Sequence, residues 1–182
     1  MMPAETPTAM AARNAWLEAD NARLRRLLER HDAPAELLNA ARLYREEFQP
    51  SEALQAPYMI ASMNVFAADT DEEGRRLSTS MQQSFARLQR GRPGLLPPPV
   101  DDIEAVLSPG ELMGAQSRLL YSAVGGPETV RDQIRSFIEM TGVDELMITG
   151  MMHDNGARVR SLEIVAEVGS GDEVVPAALR TR

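Results

Sequence analysis

The chain has 182 residues, enough for one domain with a buried core, and its 43% apolar content is that of a globular protein rather than a disordered one. With 27 acidic residues against 19 basic ones, a net charge of −8 argues against nucleic-acid backbone or an anionic membrane surface as a partner. It contains no cysteine, which excludes disulfide and thiolate chemistry and fits a cytoplasmic setting, and only two histidines, too few for a nitrogen-rich metal centre.

No stretch reaches the roughly 18–20 apolar residues of a membrane span, and the start lacks the pattern of a signal peptide. Residues 13–30 hold "WLEADNARLRRLLER", in which Leu17, Asn21, Leu24 and Leu28 step by four, three and four. That spacing suits either a short coiled-coil seam with Asn21 fixing register or a surface helix with one apolar stripe. A helix over 34–48 follows, opened by Pro34, with Leu37, Ala41, Tyr44 and Phe48 on one face.

"YMIASMNVFAAD" (58–69) reads as a strand buried between layers, because it is apolar on both alternating faces except at Ser62 and Asn64. Residues 70–91 read as a helix. Thr70 and Glu73 have the spacing of a capping box, Asp71, Glu72 and Glu73 complement the positive end, and Gly91 is placed for a left-handed stop. Leu77, Met81, Phe85 and Leu88 are its expected core face, and Gly74 costs it about 1 kcal/mol relative to Ala.

"RPGLLPPPVDD" (92–102) is a proline-stiffened excursion. A short helix within 108–119, a short strand at 121–124 and a helix opened by Pro127 come next. Val130, Ile134, Phe137 and Ile138 form that helix's buried stripe, and Gly142 ends it. "ELMIT" (145–149) is a second buried strand, and 157–168 is a helix expected to bury Val159, Leu162, Val165 and Ala166. Residues 169–182 read as a tail. Strands alternating with helices predict right-handed crossovers and a parallel sheet, which both a barrel and a doubly wound fold satisfy.

In either fold, ligands sit at the carboxyl ends of the strands. The candidates there are Asn64, Gly125, Gly126, Thr149 and His153. Gly125 and Gly126 precede a helix start whose free N–H groups suit a phosphate, although Pro127 removes one donor and Glu128 repels an anion; the alternative is an ordinary strand-to-helix turn. His153 is either a polar group over a ligand or a solvated histidine beside a cap, Asp154 or Asn155, of the last helix. Asp101, Asp102 and Glu104 read as a solvated turn, and Met59, Met63, Met147, Met151 and Met152 as adaptable core. No metal site and no catalytic residue is identified, and no Walker loop, GxGxxG, GxSxG or HExxH motif is present.

The segments "ARLYREEFQPSEALQAPYMIASMNVFAADTDEEGRRL", "GRPGLLPPPVDDIEAV", "YSAVGGPETV", "DELMITGMMHD" and "ARVRSLEIVAEV", in that order and spacing, resemble the C-terminal part of bacterial luciferase-like flavin-dependent monooxygenases. The likeness runs from about residue 31 to 168 and implies the C-terminal strands and helices of a (β/α)8, TIM-like barrel, with residues 1–30 as an added, unrelated helical segment. It also implies an enzyme that binds reduced flavin mononucleotide (FMN), uses oxygen and inserts one oxygen atom into a small organic substrate. The family's early strands find no counterpart before residue 31. The reading is therefore a C-terminal portion, from a truncation, fusion or split gene, inactive without a complementary barrel half. The alternative is a non-catalytic interaction module that associates through the N-terminal helix and an open sheet edge.

Overall fold

A computed structural model describes residues 33–169, so residues 1–32, with the coil-like segment and His31, and the tail beyond 169 lie outside the described residues. The chain divides into two units between Tyr44 and Arg45. That boundary falls inside the first described helix, α1 (Ala33–Glu47), whose residue Ala41 is buried. The second unit carries β1 (Ile60–Ala67), α2 (Asp71–Gln89), α3 (Pro109–Arg118), β2 (Ser122–Gly125), α4 (Pro127–Thr141), β3 (Glu145–Thr149) and α5 (Asn155–Gly169).

The three strands form one parallel sheet in the order β2-β1-β3. The α/β class and the parallel crossovers expected from the sequence are present. Successive barrel strands lie side by side in chain order, so three successive staves would run β1-β2-β3. Here β2 does not lie between β1 and β3. The β1–β2 pairing is that of successive staves, whereas β3 flanks β1 on the other side instead of following β2.

The register is staggered. β3 pairs with the first part of β1, from Ile60↔Glu145 to Asn64↔Thr149, and β2 with the last part, from Asn64↔Ser122 to Ala67↔Gly125. Asn64 is therefore the residue of β1 paired on both sides.

Alternation along the strands sorts the side chains into two faces. One face, with Met63, Val65, Ala67 and Ala123, is buried, and α4 and α5 pack against β1 and β2. The other face is covered only towards the carboxyl end, where Phe66, Ala68, Leu77 and Met152 form a core joined by Met81, Leu119, Val124 and Ala157. Towards the amino end that same face is open: Ile60 is 53% and Met147 54% exposed. The methionines divide accordingly. Met63 and Met152 are core, whereas Met147 on β3 and Met151 just beyond it are exposed.

Local signals explain most helix ends. Thr70 Oγ1 accepts from Glu73 N at 3.2 Å, but the Glu73 carboxylate turns to Arg76 instead of back to Thr70, so only half of the expected capping box forms. The bond to Arg76 is also what pulls the Glu73 carboxyl below its usual range. Gly91 (φ 68°) and Gly142 (φ 61°) take the left-handed conformation predicted for them. Asp154 Oδ1 accepts from Ala157 N at 2.8 Å and caps α5.

Two expected core faces differ. Leu88 of α2 is exposed, while Thr79 and Gln83 are buried beneath the 92–100 excursion. Its prolines carry no N–H but leave carbonyls to satisfy, and a stripe of α2 side chains supplies donors. Gln83 Nε2 donates to Pro98 O at 2.9 Å and Arg87 Nη1 to Leu95 O at 3.3 Å, while Val100 N donates to Thr79 Oγ1 at 2.9 Å.

In α5 the predicted stripe is turned outward: Val159 is 46% and Leu162 47% exposed, and Ser161 and Ile164 are buried instead. The cause is a polar contact across the chain, in which Ala67 N donates to Ser161 Oγ at 3.0 Å and draws that serine against β1.

Candidate functional site

The registers of β2 and β3 both reach Asn64, and this lines up Ser122, Asn64 and Thr149 as one row across the sheet, on the incompletely covered face. The Thr149 hydroxyl lies 3.0 Å from Asn64 Oδ1 and 3.3 Å from Met63 O. Both are acceptors, and the single hydroxyl proton serves the nearer, amide oxygen. That contact orients the Asn64 amide. On the other side, Ser122 Oγ is buried without a hydrogen-bond partner, as is the neighbouring Tyr121 hydroxyl, whose pKa burial raises. Ser62 continues the polar row towards the amino end, beside Met147.

Gly125 and Gly126 lie elsewhere, at the junction of β2 with α4. Gly126 N donates to Asp71 Oδ1 at 2.7 Å, and a Cβ on Gly125 would lie 2.5 Å from the same oxygen. The start of α4 is thus already supplied with an anion by the first turn of α2, and an incoming phosphate would have to displace that carboxylate. The same junction explains Gly74. A Cβ there would lie 2.7 Å from Gly125 Cα and N, so α2 crosses the end of β2 backbone to backbone. Ala68 N also donates to Gly125 O at 3.0 Å.

His153 is exposed in the β3–α5 loop, and its Nδ1 is 3.0 Å from Leu96 O. A carbonyl only accepts, so Nδ1 carries the proton and the histidine ties the proline excursion to the carboxyl end of β3. Of the five candidates, the structure brings Asn64 and Thr149 together, puts Gly125 and Gly126 in a packing junction, and gives His153 a tethering bond.

Ser122 was not singled out from the sequence. A lone serine at a strand start carries no local signal, and its place in the row depends on the register between strands. Asp102 Oδ1 accepts from Glu104 N and Ala105 N, which makes that acidic segment the solvated turn expected. Among the described residues no group of three or more His, Asp or Glu side chains is arranged to hold a metal, and no helix is long and apolar enough to cross a membrane.

A parallel α/β unit with a polar row on an open sheet face is related, over most of this chain, to the luciferase-like monooxygenases. Among curated proteins, "Luciferase-like monooxygenase" of Escherichia coli (strain K12) is 41% identical over 138 residues, covering 76% of this chain and 41% of that protein. The uncharacterized proteins YvbT and YddN of Bacillus subtilis (strain 168) are 39% identical over 138 residues and 35% over 136. The crystal structure of apo-MsnO8 superposes with a TM-score of 0.64 at 30% identity, over 77% of this chain and 42% of that one. No family model matches. The chain therefore spans about two-fifths of the length of the curated relatives it matches.

Proposed function

We propose that this chain forms part of a flavin-dependent monooxygenase of the luciferase-like class, corresponding to the C-terminal portion of such an enzyme, and that the Asn64–Thr149 pair of the polar row lines its cofactor pocket. The observation that carries the reading is the Asn64–Thr149 pair on the incompletely covered sheet face, in a chain 41% identical to a luciferase-like monooxygenase over 138 residues. Reduced flavin, when bound, supplies the oxygen chemistry.

The chain's own residues supply recognition. Thr149 holds the Asn64 carbonyl oxygen, so the amide N–H2 is left to donate to an acceptor on a heteroaromatic ring edge, while the Ser122 hydroxyl is buried at the covered end of the row. Ile60 and Met147 add apolar surface on the same face, suited to excluding water.

The phosphate of FMN does not fit the Gly125–Gly126 turn, because Asp71 occupies it. The row is therefore assigned to the ring portion of the cofactor and not to its phosphate. A titration tests this directly. Reduced or oxidised flavin should show saturable quenching with the purified chain, and Asn64→Ala should weaken it on the order of tenfold, the loss of one to two buried polar contacts. Riboflavin and FMN should bind with similar affinity. Absence of quenching at millimolar flavin, or binding unaffected by Asn64→Ala, would refute the assignment of the row; a strong preference for FMN would refute the exclusion of phosphate.

A further inference from the structure

Among the described residues β3 pairs with β1 on one side only, so its other side is a sheet edge there. Edge strands invite pairing with another chain unless lysine, proline, a bulge or a covering element blocks them. The sequence of β3, Glu145-Leu146-Met147-Ile148-Thr149, contains neither lysine nor proline, and Glu145, Met147 and Thr149 are all exposed. β2 is less available: it is four residues long, and the backbone contact between Gly74 and Gly125 covers its carboxyl end.

We propose that the free edge of β3 pairs antiparallel with the β3 of a second copy of this chain, about a two-fold axis through Met147, to give a continuous six-stranded sheet. The sequence of the strand is self-complementary in that register. Met147 faces the partner's Met147, Leu146 faces the partner's Ile148, and Glu145 faces the partner's Thr149, so three apolar pairs form per dimer and no carboxylate meets another. The pairing covers Met147, one of the most exposed apolar side chains of the open face. This inference concerns the chain by itself and does not depend on the flavin reading; its test involves no flavin, so the two fail separately.

The absence of cysteine makes the register directly testable in the full chain. Residues facing each other across antiparallel strands have Cα atoms about 4.5–5.5 Å apart, inside the roughly 4.4–6.8 Å range of a disulfide. Met147→Cys should therefore form a covalent dimer under mild oxidation in high yield, whereas Leu88→Cys, on the outside of α2 and similarly exposed, should not. Sedimentation of the wild type should show a monomer–dimer equilibrium. Thr149→Glu, which sets a carboxylate against the partner's Glu145 twice per dimer, should weaken it roughly 3- to 30-fold. Adding Glu145→Lys should restore it. A wild type that stays monomeric at tens of micromolar, equal cross-linking from both cysteine positions, or a dimer indifferent to Thr149→Glu would each overturn the proposal.

Discussion

Gly74→Ala separates local propensity from packing, because the two predict opposite signs. In an exposed helix interior the change would stabilise by about 1 kcal/mol. Here the added Cβ would lie 2.7 Å from Gly125 Cα, 2.7 Å from its N and 2.8 Å from its O, all backbone atoms that cannot rotate away. Ordinary contacts lie at 3.4–4 Å, so the first turn of α2 would have to withdraw by close to an ångström.

Overpacking of this kind costs about 1–3 kcal/mol. The shift also stretches the 2.7 Å bond from Gly126 N to Asp71, one turn upstream, and a hydrogen bond to a charged group is worth about 1.5–3 kcal/mol. Net of the propensity gain, Gly74→Ala should destabilise by about 2–4 kcal/mol, which at a urea m-value of about 2 kcal/mol/M lowers the unfolding midpoint by about 1–2 M. Gly110→Ala is the internal control. It also lies in a helix, α3, but a Cβ there meets nothing within 4 Å. Its propensity gain is unopposed, and the midpoint should rise by up to about 0.5 M. If Gly74→Ala unfolds at or above the wild-type midpoint, the backbone contact between α2 and β2 does not exist as described.

Further substitutions test other contacts by the same denaturation assay. Ser161→Ala strands the buried Ala67 N–H and should cost about 1–3 kcal/mol, whereas Leu162→Ala, on the exposed side of α5, should change stability by less than about 1 kcal/mol. Tyr121→Phe removes a buried hydroxyl without a partner but keeps the edge-to-face contact with Phe137 at 5.6 Å, so stability should hold or rise by about 1 kcal/mol. Glu111 is held well below the ordinary carboxyl value of 4.5, at about 2, chiefly by its hydrogen bond to Arg90 and then by Ser108. A depressed carboxyl contributes stability above its unfolded value and loses it as pH falls through the folded one. Glu111→Gln should therefore remove part of the stability loss between pH 4.5 and about 2 and leave a smaller difference in high salt, since the pair is solvent-exposed.

The sequence carried the elements well because their signals are local. Apolar residues on both faces and a polar end marked β1, proline and glycine bracketed α4, and the five residues of β3 were read at their observed bounds, although β3 was expected to be buried and is exposed at Glu145, Met147 and Thr149. What it did not carry are matters settled between distant segments. The α5 stripe was misassigned because apolar residues occur all round that helix, and one hydrogen bond from Ala67 decides which side faces in. Gly74 looked like a weakness because its reason, Gly125, lies fifty-one residues on. Ser62 and Asn64 were legible as sharing a face, but the row with Ser122 and Thr149 needs the register of three strands, which no single segment encodes.

The segments that carried the family resemblance turn out to meet physically. "MNVFAADTDEEGRRL" and "YSAVGGPETV" join through three contacts: Ala68 N to Gly125 O, Gly126 N to Asp71 Oδ1, and the backbone approach of Gly74 to Gly125. "DELMITGMMHD" supplies Thr149 to the polar row, Met152 to the core around Phe66, and His153 to the bond that fixes "GRPGLLPPPVDD". Most of these contacts are packing and capping at the carboxyl ends of the strands, and only the Asn64–Thr149 pair is free to meet a ligand. The likeness between sequences is thus chiefly a record of how this end of the sheet is locked together. The polar row, rather than the glycine turn, is therefore where a cofactor experiment should begin.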